Sequence, residues 1–206
     1  MFAEDYMTPN PHTVAPGTAL TRAADLMKSH RVRHLPVVDT GGRLVGVLSD
    51  RDVRSAIGYD ARLSAELTVS EVMTADPMTI EAKTSVDEAL RVFCTNRYGS
   101  LPIMRNNELV GILTRSDLLW AFYGLMGLDV SGRRIDVALP NGWADLALTF
   151  GALSDHTPQL ISAIVSRTRR DGDEPSLYLR VQSGDARQIE RHLRDAAMIV
   201  LEPEHP

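Results

Sequence analysis

One text is written twice in this chain. "YMTPNPHTV" (6–14) aligns with "VMTADPMTI" (72–80), and "HRVRHLPVVD" (30–39) with "NRYGSLPIMR" (96–105), each at an offset of 66 residues. "LVGVLSDRDV" (44–53) aligns with "LVGILTRSDL" (109–118) at an offset of 65, so the second copy is one residue shorter in its turn. A repeat of roughly sixty residues means two supersecondary units that bury a shared face by stacking. Residues 1–62 and 63–126 are therefore expected to fold as a matched pair.

Each copy decodes in the same way. Thr13-Val14 and Thr79-Ile80 read as short extended pieces before a helix. In the second copy Ser85 and Glu88 have the spacing of a capping box, and Val86, Ala89, Leu90 and Phe93 fall on one helix face. Subtracting 66 gives Leu20, Ala23, Ala24 and Met27, so the buried face repeats too. Two Val/Ile-rich runs follow, joined by Gly41-Gly42 or Asn106-Asn107, residues that tolerate the positive φ of a tight hairpin. A second helix is expected at 50–57 and 116–123. The unit is β-α-β-β-α, and the fold class is mixed α/β (α+β).

From residue 133 onward the pattern changes to β-α-β-β-α-β, through "RRIDVALP", "WADLALTF", "QLISAIVSRT", "LYLRVQS", "ARQIERHLRDA" and "MIVLE". That order predicts a ferredoxin-like split β-α-β sheet over 133–206. "GLDVSG" (127–132) reads as the linker.

The phrase that recurs with most chemistry is Ser49-x-x-Asp52 and Thr114-x-x-Asp117. As helix caps, the hydroxyl and carboxylate satisfy helix-start amides, for roughly 1 kcal/mol. As a ligand site, the same junction gathers unpaired N–H groups that suit an anion. Gly46 and Gly111 inside strand patterns favour a close approach by a ligand or another backbone. Arg31 and Arg97 before the "LP" pairs, with Arg51 and Arg115, cluster cations at matching places, and guanidinium forks grip phosphate.

These marks, "MTPNPHTV…HRVRHLPVVD…GRLVGVLSDRD" and "MTADPMTI…NRYGSLPIM…ELVGILTRSD", resemble a tandem pair of CBS domains (a Bateman module) over nearly all of residues 1–125. The resemblance implies a pseudo-twofold disc with two clefts for AMP, ADP, ATP or S-adenosylmethionine. It implies that Asp52 and Asp117 hold ribose hydroxyls, supported by Ser49 and Thr114. Thr13-Val14 and Thr79-Ile80 would line the adenine pockets, and Arg31 and Arg97 would meet phosphate, with a cleft free to borrow its arginine from the facing repeat. Leu35, Pro36 and Arg51 complete the first set; Leu101, Pro102 and Arg115 complete the second. The first cleft is expected to be the more cationic, since "VRH" stands where the second copy has "YGS".

Residues 133–206 resemble an ACT domain, a small regulatory fold that often binds amino acids, although "LPNGWADL" departs from that family's Asp-x-Pro-Gly-like turn. The order CBS–CBS–ACT resembles that of bacterial acetoin-utilisation B proteins. Both resemblances imply a homodimer, a stand-alone sensor acting on an unidentified regulated protein, and no required cofactor. The alternative is metabolite sensing by the ACT-like part, with the CBS pair as a dimerisation scaffold.

Composition narrows the classes. A net charge of −5 gives no field to draw nucleic acid or an anionic membrane. A lone cysteine, Cys94, read as a small buried hydrophobe, excludes an internal disulfide and suits a reducing compartment. "MFAEDYMTPNP" is not a secretory signal, and "LLWAFYGLMGL" (118–128) is about half the ~20 residues a membrane span needs. The expectation is a cytoplasmic protein. His30 and His34 bracket a helix end rather than sharing a face, "GGRLVG" is too glycine-poor for a phosphate loop, and Arg167, Arg169 and Arg170 abut acidic residues at a hairpin tip. No base–nucleophile pair is evident, so no enzyme is expected.

Overall fold

A computed structural model describes residues 1–59, 66–96, 98–154, 160–166 and 175–201. The chain divides into two compact units, Met1–Ala121 and Phe122–Pro206. The expected boundary between the repeats, at 62–63, and the tip at 167–174 lie outside the described residues.

The first copy forms β1 (Thr8–Pro9), α1 (Leu20–His30), β2 (His34–Val38), β3 (Leu44–Ser49) and α2 (Asp50–Tyr59). The second forms β4 (Thr74–Ala75), β5 (Ile80–Glu81), α3 (Val86–Asn96), β6 (Ser100–Arg105), β7 (Glu108–Thr114) and α4 (Arg115–Leu125). The hairpin turns take the expected backbone: Gly42 has φ 78°, and Asn106 and Asn107 have φ 51° and 66°. Leu20, Ala23 and Met27 of α1 are buried, as are Val86, Ala89 and Phe93 of α3, while Ala24 and Leu90 sit at the margins of their cores. At α3 the capping box is half made. Ser85 Oγ accepts the Glu88 N–H at 3.4 Å, but the Glu88 carboxylate takes the Arg91 guanidinium instead. Cys94 is exposed, correcting its expected burial; Phe93 beside it fills the core.

The two copies exchange their leading arms. β1 pairs antiparallel with β7 of the other copy, Thr8 opposite Ile112, and β4 pairs with β3, Val47 opposite Thr74. The sheets thus run β1-β7-β6-β5 and β2-β3-β4. Ahead of each arm the backbone repeats the trade. Ala3 N–H donates to Thr84 C=O (2.8 Å) and Glu4 N–H to Ala82 C=O (3.1 Å). Sixty-six residues on, Val69 N–H donates to Thr18 C=O (2.9 Å) and Ser70 N–H to Pro16 C=O (2.9 Å). Side chains follow: Ala3, Tyr6 and Met7 join the core of the second copy, and Val69, Val72 and Met73 that of the first.

This trade explains the strand glycines. A Cβ on Gly46 would overlap the Met73 thioether, and one on Gly111 would overlap Met7. The close approach is therefore made by the exchanged arm, not by a ligand.

In the second unit β8 (Arg133–Ala138), α5 (Trp143–Ala152), β9 (Leu160–Ser166), β10 (Ser176–Val181), α6 (Ala186–Asp195) and β11 (Val200–Leu201) follow in the expected order. The sheet order is β11-β8-β10-β9 with every neighbouring pair antiparallel, the arrangement of a split β-α-β sheet. Its core joins β8, β10 and α6 through Ile135, Val137, Leu177, Leu179, Ile189 and Leu193. Residues 127–132 are tied into this unit: Arg180 donates to the carbonyls of Gly127 (2.7 Å) and Val130 (3.0 Å). Gly142 enters α5 at φ 61°, and buried Asp145 accepts the Asn141 N–H at 2.7 Å. Among the described residues no helix is long and apolar enough to cross a membrane.

Candidate functional site

The two strand-to-helix junctions are built alike. Asp52 Oδ2 accepts the Ser49 N–H (2.9 Å) and hydroxyl (2.6 Å), while the Ser49 oxygen accepts the Asp52 N–H (3.2 Å). Asp117 Oδ2 accepts the Thr114 N–H (2.7 Å) and hydroxyl (2.8 Å), and Thr114 accepts the Asp117 N–H (3.4 Å). Each is a reciprocal cap across a sharp turn, so the capping reading describes one carboxylate oxygen of each pair. Oδ1 of each aspartate has no hydrogen-bond partner among the described residues, which leaves half of each carboxylate for other work.

The first junction opens into a cleft of about 970 Å³ within the first unit. Its walls come from both copies. Arg33, His34, Val47 and the run Ser49–Asp52 with Arg54 face Thr74, Pro77, Met78, Tyr98, Gly99, Ser100 and Arg115. The amino ends of α2 and α4 both reach it, bringing the positive ends of two helix dipoles to one space. Arg54 pairs with Asp50 at 3.0 Å. Ser100 is buried, and its hydroxyl has no hydrogen-bond partner among the described residues. His34 packs against Gly99, where a Cβ would lie 2.6 Å from the imidazole Nε2. Burial pushes the His34 pKa below its usual 6.5; Asp52 opposes that shift, Arg33 adds to it, and Asp50 opposes it more weakly.

The CBS-domain family profile matches residues 3–59 and 69–124. The chain belongs to the CBS-domain family. Among solved structures similar to it, a Vibrio cholerae protein assigned to acetoin utilization (AcuB) is 32% identical, with a TM-score of 0.56 over 63% of this chain and 95% of that one. CBSX2 in complex with AMP is 31% identical, with a TM-score of 0.53 over 59% of this chain and 95% of that one. CBSX2 is from Arabidopsis thaliana. The CBS-domain pair of MJ0100, in complex with 5′-methylthioadenosine and S-adenosyl-L-methionine, is 26% identical, with a TM-score of 0.55 over 60% and 97%.

Within this CBS pair, the two sets of site residues expected from sequence are partly mixed. Ser49, Arg51 and Asp52 of the first set meet Arg115 of the second in one cleft. Leu35 and Leu101 are fully buried, and Pro36 and Pro102 are buried beside them, so these four back the sheets and offer no surface to a ligand. Val14 has spent its main chain: its N–H donates to Pro36 C=O (3.1 Å) and its carbonyl accepts from Val38 (2.9 Å). Ile80, its counterpart, pairs in parallel with Ile103. Thr13, Thr79, Thr114 and Asp117 lie outside the lining of this cleft. Arg31 caps α1 in the left-handed conformation (φ 55°), and Arg33 takes the place in the cleft that sequence gave to it. Arg97 lies outside the described residues.

Sequence reasoning missed Thr74, Pro77 and Met78, which reach the first junction through the exchanged arm, and Tyr98 and Ser100, which reach it from the start of β6 in the other copy. The exchange shows in the structure as Met7 against Gly111 and Met73 against Gly46. His30 stacks on His12 with ring centroids 3.7 Å apart, while His34 turns into the cleft, so the two histidines separate. No group of three metal-ligating side chains occurs among the described residues.

Proposed function

We propose that this chain is a regulatory protein that binds an adenosine-containing ligand in its CBS clefts and passes the occupancy to a partner protein. The observation that carries the reading is the divided carboxylate of Asp52, a residue that lines a cleft edged by two helix amino ends: Oδ2 holds the turn, and Oδ1 takes no part in it. A carboxylate held in that way suits the vicinal hydroxyls of a ribose. Val47, Pro77, Met78 and the Tyr98 ring supply an apolar wall for a base, and arginines supply the phosphate contacts. AMP, S-adenosylmethionine and methylthioadenosine in the similar CBS pairs support the ligand class. Asp117, with Thr114 and Thr79, takes the equivalent part in a second cleft. The protein acts as a homodimer in the cytoplasm and is not an enzyme.

The test is calorimetric titration of the full chain with AMP, ADP, ATP and S-adenosylmethionine. Binding of at least one, weakened at least about tenfold (1.4 kcal/mol) by Asp52→Ala, is expected. Absence of binding for all four ends the reading. A second reading rests on the split β-α-β sheet of the second unit, shared with ACT domains: an amino acid binds there. An amino-acid signal that survives both Asp52→Ala and Asp117→Ala would favour it.

A further inference from the structure

We propose that the cleft at the Ser49–Asp52 junction selects a ligand carrying two or more consecutive phosphates, a nucleoside di- or triphosphate, over a monophosphate and over the sulfonium cation of S-adenosylmethionine. This rests on the nucleotide reading above and specifies its ligand.

Charge is the first ground. Four arginines against two aspartates leave the lining with a formal +2, in a chain whose net charge is −5. Asp50 is already engaged by Arg54. Arg33, Arg51 and Arg115 are exposed at the cleft and have no ion-pair partner among the described residues, so their guanidinium groups are free to meet an anion. Three guanidinium forks exceed what one phosphate needs, and they repel a sulfonium.

The second ground is independent of charge. The Ser100 hydroxyl, in a residue that lines the cleft, is buried with no hydrogen-bond partner among the described residues, an unmet polar group of the kind that a ligand oxygen satisfies. Size agrees: about 970 Å³ lies at the upper end of the range for small-molecule pockets and leaves room beyond a nucleoside monophosphate.

Third, the charge belongs to this junction and not to the shared fold. At the positions equivalent to Arg33, Arg51 and Arg54 the second copy has Gly99, Ser116 and Leu119, and only Arg115, in the place of Asp50, returns a cation. The capping residues were kept in both copies while the arginines were not. A structural requirement would have fallen on both alike.

Calorimetry on the full chain, at one ionic strength and without magnesium, tests this with AMP, ADP, ATP, S-adenosylmethionine and inorganic triphosphate. Affinity is expected to rise about tenfold with each added phosphate, since each brings charge-assisted contacts to the unpaired guanidinium groups. Arg33→Ala and Arg51→Ala are each expected to weaken ATP binding more than AMP binding, so that the gain from AMP to ATP is lost. Arg33→Gln serves if the alanine variant loses its circular-dichroism signature. AMP and ATP within about twofold, or S-adenosylmethionine tighter than ATP, overturns the proposal while the nucleotide reading stands. Inorganic triphosphate binding with no nucleotide binding leaves the phosphate site standing and removes the nucleotide. No binding by any of the five removes both.

Discussion

The junctions at Ser49–Asp52 and Thr114–Asp117 share every capping hydrogen bond, yet they stand in different company. The first is surrounded by Arg33, His34, Arg51 and Arg54; at the same positions the second has Gly99, Ser100, Ser116 and Leu119. The arms show a similar contrast. Glu4 at the first arm pairs with Lys83 and Arg105, whereas its counterpart at the second arm is Ser70. What both copies keep is what the chain needs to turn and pack: the cap, the glycine, the methionine opposite it. What differs is charge, which the fold does not require and a ligand would read.

The comparison breaks most visibly at the glycines. Gly111→Val forces the Met7 thioether out of its seat, and Gly46→Val does the same to Met73, against a backbone carbonyl at Thr74 only 3.1 Å away. Each is expected to lower stability by about 1–3 kcal/mol, roughly 2–12 °C in the thermal midpoint. Gly111→Ala combined with Met7→Ala should recover part of the loss; a stabilised Val variant would mean that the arms do not dock as described.

Next come the caps. Asp52→Ala and Asp117→Ala each leave a turn N–H and a hydroxyl unmatched, and each should cost about 1 kcal/mol by chemical denaturation. Equal losses in stability with unequal losses in ATP affinity would sharpen the contrast between the junctions. Equal losses in both would erase it.

A smaller effect concerns pH. Because the folded chain holds the His34 proton more weakly than the unfolded chain does, the folded state carries fewer protons below the usual value of 6.5. The contribution is complete above 6.5 and is lost as the pH falls from there through the lowered folded value. Thermal midpoints should therefore drop on acidification from about pH 7.5 to about pH 5, and His34→Gln should flatten that slope. A slope that His34→Gln leaves unchanged would assign the effect to other groups.

The smallest effect belongs to the arm. The Lys83 hydrogen bond, more than any other contact, holds the Glu4 carboxyl below its usual range, so its pairing is present above pH 4.5 and is lost as the pH falls through the lowered value. Glu4→Gln should give a slight destabilisation that disappears in molar salt, because exposed pairs are screened. A loss that persists in salt would make the contact one of packing.

Much of this was legible in the residues themselves. The repeat, at offsets of 66 and 65, located both helices and the hairpin in each copy, since helix periodicity and turn chemistry are local. The expected helix at 50–57 is observed at Asp50–Tyr59, and that at 116–123 at Arg115–Leu125. The exchange of arms could not be read, because Thr8 and Thr74 head nearly the same text and either could pair with β3 or β7. The cleft inherited that ambiguity. Arg33 was overlooked beside Arg31 because the left-handed turn at Arg31, which aims one side chain out and brings the other to the strand, has no signature in the residue itself.

The traded arms also set the order in which this chain can assemble. As synthesis proceeds, the first copy has α1, the β2–β3 hairpin and α2 available, but the strand that completes its sheet waits for Thr74–Ala75. β1 stays unpaired until Ile112 exists. Contacts of such separation slow folding through the entropy of closing the loop. Each copy therefore needs the other to complete its sheet, and half of the pair alone is a sheet with an open edge.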